Sequence, residues 1–120
     1  MNKNNEYLFR ILRIGHDTSM RGEGISLNEA IMCTRYNEHR PSFGVEDVLQ
    51  LLKANREIIE EWILYSEDKR TDGGWYILRD GEIGRVDDKN SRMRFETIEQ
   101  AAAEYVVREI DFWAELNKCG

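Results

Sequence analysis

The chain has 120 residues, 41% of them hydrophobic and 10% aromatic, which suits one domain with a single core and argues against disorder. Seventeen Lys and Arg against 23 Asp and Glu leave a net charge of -6, which repels phosphate backbones and disfavours direct nucleic-acid binding. The two cysteines, Cys33 and Cys119, have no CxxC neighbour, which excludes a zinc ribbon or thioredoxin-like site and fits reduced thiols in a cytoplasmic compartment.

No run approaches the roughly 18 apolar residues of a membrane span, and the broken apolar N-terminus reads as neither span nor export signal. Within residues 5–14, Tyr7, Leu8, Ile11, Leu12 and Ile14 recur at three- and four-residue spacing. This predicts a short amphipathic helix, capped by Asn4 or Asn5 and stopped by Gly15, with an irregular loop over 16–24. Ser26 and Glu29 form a capping box, and a second helix is expected through Ala30, Ile31 and Cys33 to about Tyr36. A loop holding Pro41 follows over 37–42; then Val45, Val48, Leu49 and Leu52 mark a third helix ending near Asn55.

Ile58, Ile59, Trp62 and Tyr65 continue the helical spacing, with a buried strand over 62–66 as the competing reading. After a turn at 69–74, two strands (75–79 and 82–86) meet at Asp80-Gly81, the dipeptide of a two-residue type I′ hairpin. That register sets Leu78 against Ile83, Ile77 against Gly84, Trp75 against Val86, and Arg79 against Glu82. Residues 87–91 read as a polar loop and 92–95 as a third short strand. Thr97 and Gln100 open a last helix with Ile98, Ala102, Tyr105, Phe112, Trp113 and Leu116 on one side; Glu109 breaks that stripe. The expected class is α+β: N-terminal helices, a small antiparallel meander (about 75–95) and a covering C-terminal helix (about 98–117), all one domain.

None of the chemical candidates assembles a reaction. His16 and Asp17 are adjacent in a loop, and His39 has no companion at ligand spacing, so surface or capping roles are expected for both histidines. Cys33 on a helix reads as a small buried hydrophobe. The 87–91 segment lacks the glycine and terminal glutamate of a calcium loop. Glu109 in the stripe suggests either a general acid or a glutamate paired with arginine or at the stripe's edge. Arg70, Arg79, Arg85, Arg92 and Arg94 surround Trp75 and Tyr76, but the interleaved Asp72, Asp80, Glu82, Asp87 and Asp88 cancel their field. No cofactor and no metal are expected.

The acidic run stands out. Glu57, Glu60, Glu61, Glu67 and Asp68 fall on the helix side away from Ile58, Trp62 and Tyr65, with Leu64 exposed among them. Carboxylates around one leucine fit a surface that steers a basic partner and offers it an apolar contact; an ordinary solvated face, with Leu64 packed on the hairpin, fits equally.

Trp62-Ile63-Leu64-Tyr65-Ser66-Glu67-Asp68-Lys69-Arg70, followed by Gly73-Gly74-Trp75-Tyr76, resembles small bacterial immunity proteins. So does Phe95-Glu96-Thr97-Ile98-Glu99-Gln100-Ala101 leading into Tyr105-Val106-Val107-Arg108-Glu109. These proteins neutralise the toxin domains of contact-dependent inhibition and other polymorphic toxin systems. The resemblance covers about the C-terminal half and rests on structural rather than catalytic motifs. It implies a cytoplasmic, non-enzymatic inhibitor of one cognate toxin, often a basic nuclease, whose active site or substrate groove it occludes. The acidic run then supplies the expected partner contacts: Glu57, Glu60, Glu61, Leu64, Glu67 and Asp68. The alternatives are a small regulatory nucleic-acid-binding protein using the arginine-bearing hairpin and, last, an enzyme using Glu109 or His16.

Overall fold

Apolar side chains at helical spacing flank one short stretch of strand-forming residues, and the architecture follows that division. The computed structural model describes residues 5–17, 27–68 and 74–118. Helices α1 (Asn5–Leu12), α2 (Ile14–Asp17), α3 (Leu27–Cys33) and α4 (Tyr36–His39) lead into a 3₁₀ turn (Arg40–Ser42), then α5 (Val45–Ala54) and α6 (Arg56–Asp68). Strands β1 (Trp75–Ile77), β2 (Glu82–Arg85) and β3 (Asp88–Arg94) form an antiparallel sheet in the order β1-β2-β3, and α7 (Ile98–Lys118) closes the fold. The α+β order expected from the sequence is the one observed. The Ser26 cap, the 18–24 segment and most of the turn at 69–74 lie outside the described residues.

The centre of the fold is α7. Ala101, Ala102, Ala103, Tyr105, Val106, Val107 and Ile110 are all buried, so the helix is enclosed over more than one stripe. It meets α3, α5 and α6 as well as β1 and β2, and the three alanines keep its neighbours' backbones close. Of the expected stripe, Ala102 and Tyr105 are buried, Ile98, Phe112 and Trp113 are half-buried, and the Leu116 side chain lies outside the described residues. Thr97 caps the helix as expected, its Oγ1 accepting the Gln100 amide at 3.2 Å.

Gly15 does not end the first helical segment. The turn falls at Arg13, and the chain re-enters a helix at Ile14. Trp62 explains the glycine: a Cβ at position 15 would lie 2.8 Å from the indole Cδ2, so only a bare backbone fits there. The same indole donates from Nε1 to the Leu12 carbonyl at 2.8 Å, satisfying an acceptor left open at the end of α1. Trp62 is fully buried within α6, which excludes the strand reading of 62–66.

Two further expectations are corrected around position 35. The second helix breaks after Cys33 because Arg35 takes left-handed dihedrals (φ 55°, ψ 43°), and the stretch expected as a loop forms α4 and the 3₁₀ turn. Long-range anchoring holds it: the buried Tyr36 donates to Asp111 Oδ1 at 2.5 Å, and Arg40 Nε reaches the same carboxylate at 2.9 and 3.2 Å.

The first hairpin is one residue out of the expected register. Among its turn residues only Gly81 has positive φ (95°), so the loop is a type I turn followed by a left-handed glycine, three residues rather than two. Leu78 accepts the Gly81 amide at 3.1 Å and donates to the Glu82 carbonyl at 2.8 Å. Trp75 therefore faces Arg85, Tyr76 faces Gly84 and Ile77 faces Ile83, which buries both isoleucines. Arg79 sits in the turn rather than opposite Glu82.

The third strand is longer than expected. Ser91 Oγ accepts the Arg85 amide at 2.6 Å and donates to the Asp88 carbonyl at 2.7 Å, replacing ladder bonds where the register shifts between Ile83 and Arg85.

The Gly15 contact predicts that Gly15→Ala destabilises the fold by about 1–3 kcal/mol through overpacking against Trp62. Urea denaturation followed by tryptophan fluorescence measures it; an unchanged midpoint would contradict the contact.

Candidate functional site

Helix α6 divides its side chains sharply. Ile58, Ile59, Trp62 and Ile63 are buried and Tyr65 is half-buried, while Glu57, Glu60 and Glu67 are exposed. The carboxylates share one side because three- and four-residue steps return to the same helix face. The face is nevertheless not bare negative charge. Arg79 projects from the hairpin turn onto Glu60 with paired Nη1–Oε1 and Nη2–Oε2 bonds of 2.9 and 2.7 Å, and its Nε lies 3.5 Å from Glu67. The displaced hairpin register brings Arg79 there.

Glu61 is largely covered and lies 3.6 Å from Arg13 at the end of α1. Leu64, expected to be exposed, is half-buried. Glu57 is exposed and makes no ion pair with a described residue. Asp68 ends the helix, but its side chain lies outside the described residues. The sequence-derived set thus gathers on one helix, with Glu57 open, Glu60 and Glu67 clamped to one arginine, and Glu61 partly withdrawn.

The hairpin arginines are also partnered. Arg85 reaches Asp87 at 3.2 Å and sits over the Phe112 ring, and Arg94 lies 3.2 Å from both Asp80 and Glu82. These cross-strand and local pairs are what the interleaved acids led one to expect. Arg92 is exposed, and Arg70 lies outside the described residues.

Glu109 is the one buried charged residue in the described core. Its Oε2 accepts from the Tyr65 hydroxyl at 2.8 Å and from Trp113 Nε1 at 2.9 Å, and its Oε1 accepts the backbone N–H of Trp75 at 2.7 Å. Arg108, its neighbour in sequence, turns away from it, pairing with Glu104 and covering the Trp75 ring. A buried carboxylate is tolerable only with such donors, and these three link α6, β1 and α7.

The remaining candidates separate. His16 is half-buried with Nδ1 3.4 Å from Arg13 Nη2, and the Asp17 side chain lies outside the described residues. His39 stacks on Tyr7 with centroids 4.1 Å apart. Cys33, expected to be buried, is exposed, because α3 ends there and the chain turns away at Thr34 and Arg35. Among the described residues, no group of three or more His, Cys, Asp and Glu is placed to hold a metal ion, and no helix is long and apolar enough to cross a membrane.

Comparison with protein-family models, curated proteins and solved structures finds no match to this chain.

The Glu109 contacts predict that Glu109→Gln costs about 2–3 kcal/mol, because the amide would present N–H groups to existing donors, whereas Tyr65→Phe costs about 1 kcal/mol. Denaturant titration of the two variants checks the ranking, and equal losses would count against it.

A second expectation concerns alkali. Burial first, then the Glu109 charge, raises the Tyr65 and Tyr105 phenols above their ordinary value of 10.0, and burial plus the bond to Asp111 raises Tyr36. The folded state keeps protons that the unfolded chain releases, so this stabilisation is complete below about pH 10 and is lost as pH climbs towards the folded-state values. Unfolding midpoints measured across that range, with tyrosinate absorbance in parallel, should fall only above about pH 10. Tyrosinate forming at the ordinary pH without unfolding would contradict it.

Proposed function

We propose that the protein is a cytoplasmic, non-enzymatic inhibitor that binds a cognate, basic bacterial toxin domain and occludes its active or substrate-binding site, in the manner of small immunity proteins. The observation that carries this reading is the carboxylate face of α6. Glu57 stands open, and Glu60 and Glu67 are held in position around Arg79 while remaining about half exposed.

Such a face suits a cationic partner in two ways. Glu57 and the net charge of -6 favour approach of a basic surface. The Arg79 clamp orders two long side chains beforehand, lowering the entropy lost on binding, and an exposed pair of this kind exchanges readily with an incoming guanidinium or ammonium group. The half-buried Leu64 adds limited apolar contact beside the charges. The resemblance of the C-terminal half to immunity proteins, and an acidic charge balance suited to a basic nuclease, support the same assignment.

The test takes the gene neighbouring this one: a toxin-like domain encoded there is the expected partner, and its absence would count against the reading. Nanomolar or tighter binding that weakens with salt is expected. Glu57→Lys should slow association about tenfold or more at low salt, while Arg79→Ala, which uncovers Glu60 and Glu67, should speed it. Unchanged kinetics in both variants, with the fold intact, would remove α6 from the interface; absence of any inhibition of the toxin domain would remove the function.

A further inference from the structure

Carboxylates outnumber cations in this chain, and most of the described arginines are occupied by them. Arg40, Arg79, Arg85, Arg94 and Arg108 each hold a carboxylate oxygen between 2.7 and 3.2 Å, Arg56 holds Glu99, and Arg13 lies 3.6 Å from Glu61. Arg10 pairs with no described residue, and Arg35 reaches only Glu38, at 3.9 Å, with side chains 77% and 67% exposed. These two exceptions line the same cleft of about 530 Å³, with Glu6, Tyr7, Cys33 and His39 among its walls. Arg92, also without a pair among the described residues, lies in a more open depression beside Arg94, which Asp80 and Glu82 already hold.

The cleft is shaped by the fold rather than by loose side chains. Arg10, Glu6 and Tyr7 come from α1; Cys33 ends α3, and His39 ends α4. Arg35 stands between α3 and α4 in the left-handed region, a conformation that a non-glycine residue keeps only where its surroundings impose it. One wall is a flat, stiff stack: the His39 ring lies on Tyr7 with 12° between planes, and Tyr7 is backed by Phe43 at 6.2 Å.

We propose that this cleft binds a small organic phosphate, with its phosphate between Arg10 and Arg35 and a ligand hydroxyl or amine donating to Glu6. Guanidinium groups match phosphate oxygens in fork geometry; Arg10 has no carboxylate partner among the described residues, and the exposed 3.9 Å pair of Arg35 with Glu38 is weak enough for a dianion to displace. Glu6 opposes a bare anion, which selects a ligand that brings its own hydrogen-bond donors. The volume suits a sugar phosphate or mononucleotide. A long polyanion is disfavoured by the charge of -6, whereas one phosphate feels mainly the groups within a Debye length. This inference is independent of the inhibitor reading, since it uses neither α6 nor a protein partner.

Amide NMR titrations of the full chain with adenosine monophosphate, ribose phosphate and inorganic phosphate, at matched ionic strength, test it. Either organic phosphate should give saturable shifts at Arg10, Arg35 and His39 below about 10 mM, a concentration corresponding to very weak binding, with inorganic phosphate several-fold weaker. Arg10→Gln alone, and combined with Arg35→Asn, which tolerates the left-handed backbone, should weaken binding about tenfold or more. Saturating ligand should also slow iodoacetamide labelling of Cys33, scored on its own peptide so that Cys119 does not contribute. The proposal fails if no saturable shift appears, if shifts survive the arginine variants, if they centre on Arg92 and Arg94, or if inorganic phosphate binds as tightly as the organic phosphates.

Discussion

A carboxylate with no exposed surface joins the two halves of this fold. Glu109 lies on the central helix and gathers the Tyr65 hydroxyl of α6, the Trp75 amide of β1 and the Trp113 indole one turn further along its own helix. Removing a charge from water costs several kcal/mol, and hydrogen bonds to the charge offset that only when their geometry is maintained. The condition therefore constrains the approach of α6, the start of the sheet and the rotation of α7 together. Hydrophobic contact alone is far less directional. Trp62 extends the constraint to the N-terminus, fixing the α1–α2 junction through the Leu12 carbonyl and the bare backbone of Gly15.

The candidate interface depends on that framework. Because α6 is held on its apolar side by Trp62 and Tyr65, its carboxylates have a defined direction. Because the hairpin begins at the Glu109 anchor, its turn delivers Arg79 to Glu60. The surface is a mixed one, with charges of both signs fixed by the packing beneath them. For a partner, such a surface specifies geometry as well as sign, which separates selective recognition from attraction to any basic protein.

What was legible in the chain was local. Helical spacing located α5, α6 and α7, the Thr97 cap marked the start of α7, and the Asp80-Gly81 pair marked the hairpin. What escaped depended on distant contacts. Asp-Gly serves both two- and three-residue loops, so the register, and with it the role of Arg79, could not be read from the dipeptide. Gly15 looked like a helix stop because glycine signals both termination and close approach; the tryptophan that decides between them lies 47 positions away, at Trp62. Tyr36 and Arg40 gave no sign of Asp111, more than 70 positions on, so their helical turn looked like a loop. Glu109 was visible as an anomaly in an apolar stripe, yet its aromatic and backbone donors come mainly from other elements. The acidic run was plain in the sequence, while the arginines that meet it were not. The Arg10 and Arg35 cleft left no local signal at all, since its walls come from three helices.

The serine that interrupts the third strand has a consequence for how molecules of this protein coexist. A strand at the border of a sheet ordinarily offers a regular row of amide and carbonyl groups on which a second chain can crystallise into continuous sheet. Here Ser91 turns its hydroxyl back to its own neighbours, the ladder slips, and charged side chains at Asp88, Arg92 and Arg94 surround the irregular part. An incoming strand would find neither an even spacing nor an apolar flank to follow. An irregular, charged border of this kind is a poor template for a second strand.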